Sequence, residues 1–287
     1  MSKPLTLSDK ILKRMRPARL VRKDPVGGQA GLALLRYEPL DGQPVFPDGR
    51  FKAGQYCYLA VQVEGRWLNR LYSIASAPCQ RHHLELYIVL VENGAVTPTL
   101  FAQPIGAEVL YMGPAGKFTL EKTERPDLCL IATGTGLAPY VSMLRQLRHE
   151  LRAGGGASRP RRITLFEGVR YARDLGYHSL LREMEQEGEL DLVYIPTVSR
   201  PERDEGFNAS LGRGRVNHLV RAVLGDEAIE ARVPPALPYG LDAETLRARL
   251  HPETTAVYLC GNPGMIAELQ QFLGARGYDQ ILTEDYW

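Results

Sequence analysis

The sequence predicts two domains, a small antiparallel β-barrel followed by an α/β domain built on a parallel sheet. Three observations carry that prediction. A chain of 287 residues with 44% apolar side chains has material for two cores. From about residue 17 to 122 it runs in short β-rich stretches, "GQYCYLAVQV", "NRLYSIAS" and "HLELYIVLV", punctuated by Gly, Pro, Asn and Asp, which is the spacing of an antiparallel barrel. From Pro126 the apolar strands "LCLIAT", "RRITLFEGV", "LDLVYIPTV" and "TAVYLCG" alternate with helical segments such as "APYVSMLRQLRHEL" and "GYHSLLREMEQEG", and that alternation asks for helices on both faces of a parallel sheet. The expected division is a basic arm over 1–16, the barrel over 17–122 and the α/β domain over 123–287.

The arm holds most of the eight Lys and Arg found against one Asp in residues 1–23, and reads as solvated and partly mobile, with docking as the other reading. Within the barrel, alternation along "RLYSIAS" puts Arg70, Tyr72 and Ile74 on one face and Leu71, Ser73 and Ala75 on the other. An arginine beside a tyrosine offers a cation for phosphate and a flat ring for stacking. "NGAVTPTLF" predicts a helix with Thr97 as N-cap and Pro98 at its first position, and so a second anion-binding helix end. The α/β domain opens with "LIATGTGLAPY", a glycine turn at the C-terminal end of its first strand, where open parallel sheets bind ligands. Gly134 and Gly136 permit close backbone approach, the helix from about Leu137 offers free N–H groups, and Pro139 fits its first turn. The loops "AGGGASRP" and "ARVPPALPYG" read as excursions within this domain.

Composition narrows the function. A net charge of +2 gives no case for nucleic acid or membrane binding, no stretch is apolar for long enough to span a bilayer, and a cytoplasmic globular protein is expected. Cys57, Cys79, Cys129 and Cys260 form neither a zinc nor an iron–sulfur pattern. His82 and His83, adjacent on a strand, face opposite sides, and His149, His178, His218 and His251 have no ligand spacing, so no metal is expected.

Six ordered motifs, "RLYS", "GPAGKF", "ATGTGLAPY", "VSR", "CGNPGM" and the terminal "TEDYW", resemble those of the bacterial ferredoxin/flavodoxin–NADP+ reductases, over about residue 17 to the end. The resemblance implies an FAD-binding barrel, an NADP(H)-binding α/β domain, and hydride exchange between nicotinamide and flavin. It implies that Arg70 binds the FAD pyrophosphate, Tyr72 stacks on the isoalloxazine and Ser73 bonds near its N5. Tyr87 and Val89 would contact the flavin half, Gly94, Ala95, Val96 and Thr97 would close over the phosphates, and Tyr286 and Trp287 would cover the flavin and its adenine. For NADP it implies Thr133, Gly134, Thr135 and Gly136 at the pyrophosphate, with Cys260 and Gly261 beside the nicotinamide and Glu284 as the acidic residue that relays protons or orients the ring.

A 2′-phosphate asks for arginine where a free hydroxyl asks for a carboxylate. Arg170, Ser199, Arg200 and Arg215 favour NADP, as does Arg213, whereas Glu167 stands at the same strand end and speaks against it. The expected enzyme passes single electrons to a ferredoxin or flavodoxin on another chain, as a monomer. The alternatives are a cluster-less reductase component of an oxygenase and a nucleotide-binding regulatory flavoprotein.

Overall fold

The computed structural model describes residues 8–27, 31–154 and 162–285, and the chain divides into two units. The first runs to Leu120 and also takes in Ala138–Gln146; the second holds Glu121–Leu137 and the chain from Leu147 on. The division thus falls two residues earlier than the compositional change implied and reclaims part of a helix.

The first unit contains α1 (Asp9–Leu12), β1 (Arg16–Pro25), β2 (Leu32–Pro39), β3 (Tyr56–Val63), β4 (Arg66–Ser73), β5 (Leu84–Val89), α2 (Thr97–Ala102) and β6 (Glu108–Ala115). Its strands pair in the order β4-β3-β6-β1-β2-β5, all antiparallel, and one bridge, Ile74 to Leu86, joins the two ends of the sheet. Inward residues at every second position, among them Leu20, Leu35, Tyr37, Leu59, Leu86 and Tyr111, make the core. Residues 8–16 correct the expected arm: Leu12 and Met15 pack against Tyr58, Ala60, Trp67, Leu110 and Met112, and the first strand already begins at Arg16. Residues 1–7 of that arm lie outside the described residues. His82 and His83 are not on a strand but in the turn before β5.

A buried ion cluster fastens Ala138–Gln146 within the first unit. Glu85, 4% exposed, accepts from Arg36 at 2.8 Å and from Arg145 at 2.6 Å. Arg145 also donates to the Ala75 carbonyl at 3.0 Å, and the Ser142 hydroxyl donates to that of Ser76 at 2.8 Å.

The second unit contains β7 (Asp127–Thr133), α3 (Ala138–Arg152, shared with the first unit), β8 (Arg162–Val169), α4 (His178–Glu187), β9 (Leu192–Val198), β10 (Gly212–Arg213), α5 (Val216–Val223), α6 (Ala243–Ala248), β11 (Thr255–Gly261), α7 (Pro263–Gly274) and β12 (Ile281–Asp285). Strand order is β10-β9-β8-β7-β11-β12, all parallel. The chain starts in the middle at β7, proceeds outward to β10, then returns to β11. The topological switch point, where such sheets open a ligand crevice, therefore lies between the C-terminal ends of β7 and β11. Helices α5, α6 and α7 cover one face and α4 packs on β9 from the other. The excursion "ARVPPALPYG" pairs Ala236 with Arg213 and so covers the β10 edge; "AGGGASRP" lies mostly outside the described residues.

Candidate functional site

The predicted turn sits at the switch point. After β7 the chain makes one 3-10 turn, Gly134–Leu137, and α3 follows with Pro139 in its first turn, where the missing N–H leaves no bond unmade. Gly134 has φ +53°, and a Cβ there would meet nothing within 4 Å, so this side of the turn is open. Gly136 is the reverse: its Cβ would lie 2.4 Å from the Cys260 carbonyl oxygen. Gly261, at φ +126°, would place a Cβ 2.2 Å from the Thr133 hydroxyl oxygen, and that same hydroxyl accepts the Asn262 N–H at 2.7 Å. Two absent side chains thus let "TGTG" and "CGN" touch backbone to backbone. Replacing Gly136 by Ala is expected to cost about 1–3 kcal/mol of stability by overpacking and at least tenfold in dinucleotide affinity. Thermal unfolding and a dinucleotide titration check this; unchanged affinity would remove the contact from the site.

Cys260 is fully buried on β11, and the parallel register puts Glu284 of β12, half-buried, directly opposite it. Cys260 and Gly261 therefore adjoin Thr133–Gly136, and Glu284 stands one strand further out. Tyr286 and Trp287 lie outside the described residues.

The arginines gather past the ends of β8, β9 and β10. The Ser199 N–H donates to Val169 at 3.0 Å, that of Arg200 to Arg170 at 3.2 Å, and that of Gly214 to Val198 at 2.9 Å. This ties Arg170, Arg200 and the segment carrying Arg215 into one patch. All three are exposed, and none is ion-paired among the described residues. Arg213, by contrast, donates to the Pro234 carbonyl at 3.2 Å. Tyr171 was not anticipated: its hydroxyl is 3.5 Å from Arg200, and Arg173 lies over its ring at 4.6 Å. Its place directly after Arg170 at a strand end was the available signal.

Glu167 does not face this patch. It is fully buried and accepts a hydrogen bond from the Tyr194 hydroxyl. Burial pushes its carboxyl up to about 7, with the Tyr194 bond opposing part of the rise. The objection it raised to a 2′-phosphate therefore lapses.

In the first unit the barrel wall is incomplete. Beyond the Ile74–Leu86 bridge, β4 and β5 share no ladder, and extending that register sets Leu71 against Val89 across a seam. Leu71 and Val89 are each 47% exposed and Val91 39%, an apolar strip flanked by unpaired strand edges, which is what a flat aromatic ligand would cover. Arg70 and Tyr72 lie on β4 beside this seam, and Ser73 ends the strand, nearly buried. The Tyr72 ring packs against the barrel core, and its hydroxyl is buried without a partner among the described residues. Tyr87 is buried on β5.

The loop Gly94–Thr97 closes the far end of the seam. Gly94 N–H donates to Val91 at 2.7 Å, and a Cβ there would meet that carbonyl oxygen at 2.9 Å. Thr97 is not an N-cap: it is the first residue of α2, and its hydroxyl accepts from the Val91 N–H at 2.9 Å and donates to the Val91 carbonyl at 3.2 Å. With six residues and a cap at Val96 that makes no side-chain bond, α2 offers little dipole; the loop's own N–H groups are what remains for a phosphate.

Comparisons with known proteins cover both parts of the chain. Residues 48–120 match the family description "Oxidoreductase FAD-binding domain" and residues 130–271 match "Oxidoreductase NAD-binding domain". The flavodoxin/ferredoxin–NADP reductase of Escherichia coli (strain K12) is 30% identical over 229 residues, 79% of each chain. Ferredoxin–NADP reductase B of Sorangium cellulosum (strain So ce56) is 34% identical over 208 residues, 72% of this chain and 80% of its own. Among solved structures, a ferredoxin NADP+ reductase from Neisseria gonorrhoeae with bound FAD and NADP superposes with TM-score 0.73 at 22% identity, covering 96% of this chain and 99% of that one.

Proposed function

The chain belongs to the flavodoxin/ferredoxin–NADP reductase family, an FAD-dependent class of oxidoreductase, and from this premise we propose how its own residues carry the reaction. The barrel (the chain to Leu120, with Ala138–Gln146) takes FAD along the seam between β4 and β5. The α/β domain takes NADP(H) at the switch point. The observation that carries the reading is the backbone contact between Thr133–Gly136 and Cys260–Gly261, which leaves the Gly134 side open for a pyrophosphate.

FAD, when bound, accepts hydride from NADPH and gives up electrons singly to a ferredoxin or flavodoxin. Every other task falls to the protein. Arg70 offers its guanidinium to the pyrophosphate, Tyr72 its ring and its hydroxyl, and Ser73 its hydroxyl to the flavin edge; Tyr87 and Val89 line the seam, Gly94 shapes the loop through its bond to Val91, and the N–H groups of Ala95, Val96 and Thr97 meet the phosphates. Thr133, Gly134, Thr135 and Gly136 hold the dinucleotide pyrophosphate, and Arg170, Ser199, Arg200 and Arg215 the 2′-phosphate. Cys260 and Gly261 position the nicotinamide and Glu284 orients it; the resemblance assigns Tyr286 to the isoalloxazine and Trp287 to the adenine.

The carrier is a small acidic protein drawn by basic side chains near the flavin, and the reductase works as a cytoplasmic monomer. No helix among the described residues is long and apolar enough to cross a membrane. An anaerobic titration tests the whole scheme: the FAD-loaded protein should bleach rapidly with NADPH and slowly with NADH. A protein that binds FAD yet bleaches with neither nucleotide would leave the regulatory flavoprotein as the better reading.

A further inference from the structure

Glu167 has a place that the reaction does not use. It stands on β8 opposite Ala132 of β7 and Pro196 of β9, one residue before the level of Thr133 and three before Arg170. Its Oε2 accepts from the Tyr194 hydroxyl and its Oε1 has no partner among the described residues. The same hydroxyl lies 3.4 Å from Nδ1 of His178, in the first turn of α4.

The described residues around it supply no counter-charge. Arg182 of α4 lies over the Tyr194 ring at 5.0 Å but is committed to Glu185 at 2.7 Å and to the carbonyls of Tyr194 and Ser210. The other Glu185 oxygen accepts the Tyr194 N–H at 2.8 Å. The turn Gly134–Leu137, packed against β8, carries no ionisable side chain. On the opposite face α5 meets β8 where Val216 abuts Gly168; α5 and its cap carry Arg215, His218 and Arg221, the last paired with Asp226 and Glu268. An ionised Glu167 would hold a charge away from water with one oxygen bare, so the carboxyl keeps its proton to about pH 7. Burial and Arg182 lower the pKa of His178, which leaves a neutral imidazole to accept. With Glu167 ionised, Tyr194 donates to Oε2. With the proton on Oε2 the bonds can run the other way and end on His178.

We propose that Glu167, Tyr194 and His178 form a proton site coupled to the dinucleotide site above it, so that the domain takes up a proton at Glu167 as the phosphates bind. This rests on the NADP(H) reading given above. The sign follows from electrostatics: phosphate anions at Thr133–Gly136 and Arg170 disfavour a second negative charge beneath them and raise the affinity of Glu167 for its proton. By linkage, dinucleotide affinity falls as pH rises through the titration of Glu167.

The test is isothermal calorimetry of NADP+ binding to the FAD-loaded protein near pH 7, in two buffers of different ionisation enthalpy, for wild type, Glu167→Gln and Tyr194→Phe. The phosphates and arginines are common to all three, so the difference in proton uptake isolates the buried site. Wild type should take up a larger fraction of a proton than Glu167→Gln, and its affinity should drop more steeply with pH. Tyr194→Phe, lacking the hydroxyl that solvates the carboxylate, should move that drop to higher pH. Equal uptake in wild type and Glu167→Gln overturns the coupling while leaving the NADP(H) site intact. Absence of any binding heat overturns both. Should Glu167→Gln fail to fold, an unmoved drop in Tyr194→Phe overturns the proposal by itself.

Discussion

Replacing Arg200 and Arg215 together by Gln should raise the KM for NADPH about 30- to 1,000-fold while leaving that for NADH within a few-fold of wild type. The range corresponds to about 2–4 kcal/mol, two charge-assisted hydrogen-bonding groups of about 1.5–3 kcal/mol each, reduced because both side chains start in water. Neither arginine has an ionic partner to give up among the described residues, and the Glu167 carboxylate within β8 is turned inward to Tyr194. Binding a dianion there therefore breaks no ion pair of these two arginines among the described residues, and two carboxylates past the strand ends, Asp174 and Asp204, accept from the N–H groups of Tyr171 and Ala172. Steady-state kinetics with both nucleotides decides the matter, and equal losses for NADPH and NADH would sink the 2′-phosphate assignment.

The second large effect concerns stability. Glu85→Ala should destabilise the protein by about 3–5 kcal/mol, since it leaves Arg36 and Arg145 facing each other without their shared carboxylate. Burial alone would raise the pKa of Glu85, but Arg145 and Arg36 outweigh it and hold the carboxyl at about 2 instead of 4.5. For a depressed pKa, the associated stability is complete above the unfolded value of 4.5 and is lost as pH falls toward 2, about 3 kcal/mol in all. Glu85→Gln should lack this part of the acid sensitivity. Urea denaturation at pH 7 and pH 3 measures both, and identical pH slopes in Glu85→Gln and wild type would show that the cluster contributes little.

What the sequence disclosed follows its physics. The two sheets were legible because strand periodicity and the alternation of strands with helices are local. The switch-point site was legible because glycines that admit no Cβ leave a signature, as at Gly136 and Gly261. The ion cluster was hidden, since Glu85 meets residues 49 and 60 positions away. Thr97 misled for a related reason: its hydroxyl is taken by the backbone of Val91 before any helix N–H can use it. Glu167 was in principle readable. "RITLFEG" is apolar at adjacent positions, so both faces of that strand are covered, and a carboxylate inside such a run is buried whichever way it points.

The assignment of Ala138–Gln146 to the first unit bears on how the protein is made. Synthesis proceeds from the N-terminus, and early domains tend to fold as they emerge. Here every barrel strand has left the ribosome by Ala115, yet Arg145 and Ser142 follow only after the first strand and glycine turn of the other unit. Until then Glu85 has one guanidinium instead of two, and the carbonyls of Ala75 and Ser76 lack their donors. The barrel precedes the α/β domain along the chain but is not finished before it begins, and a chain cut where its composition changes would separate a buried carboxylate from half of its counter-charge.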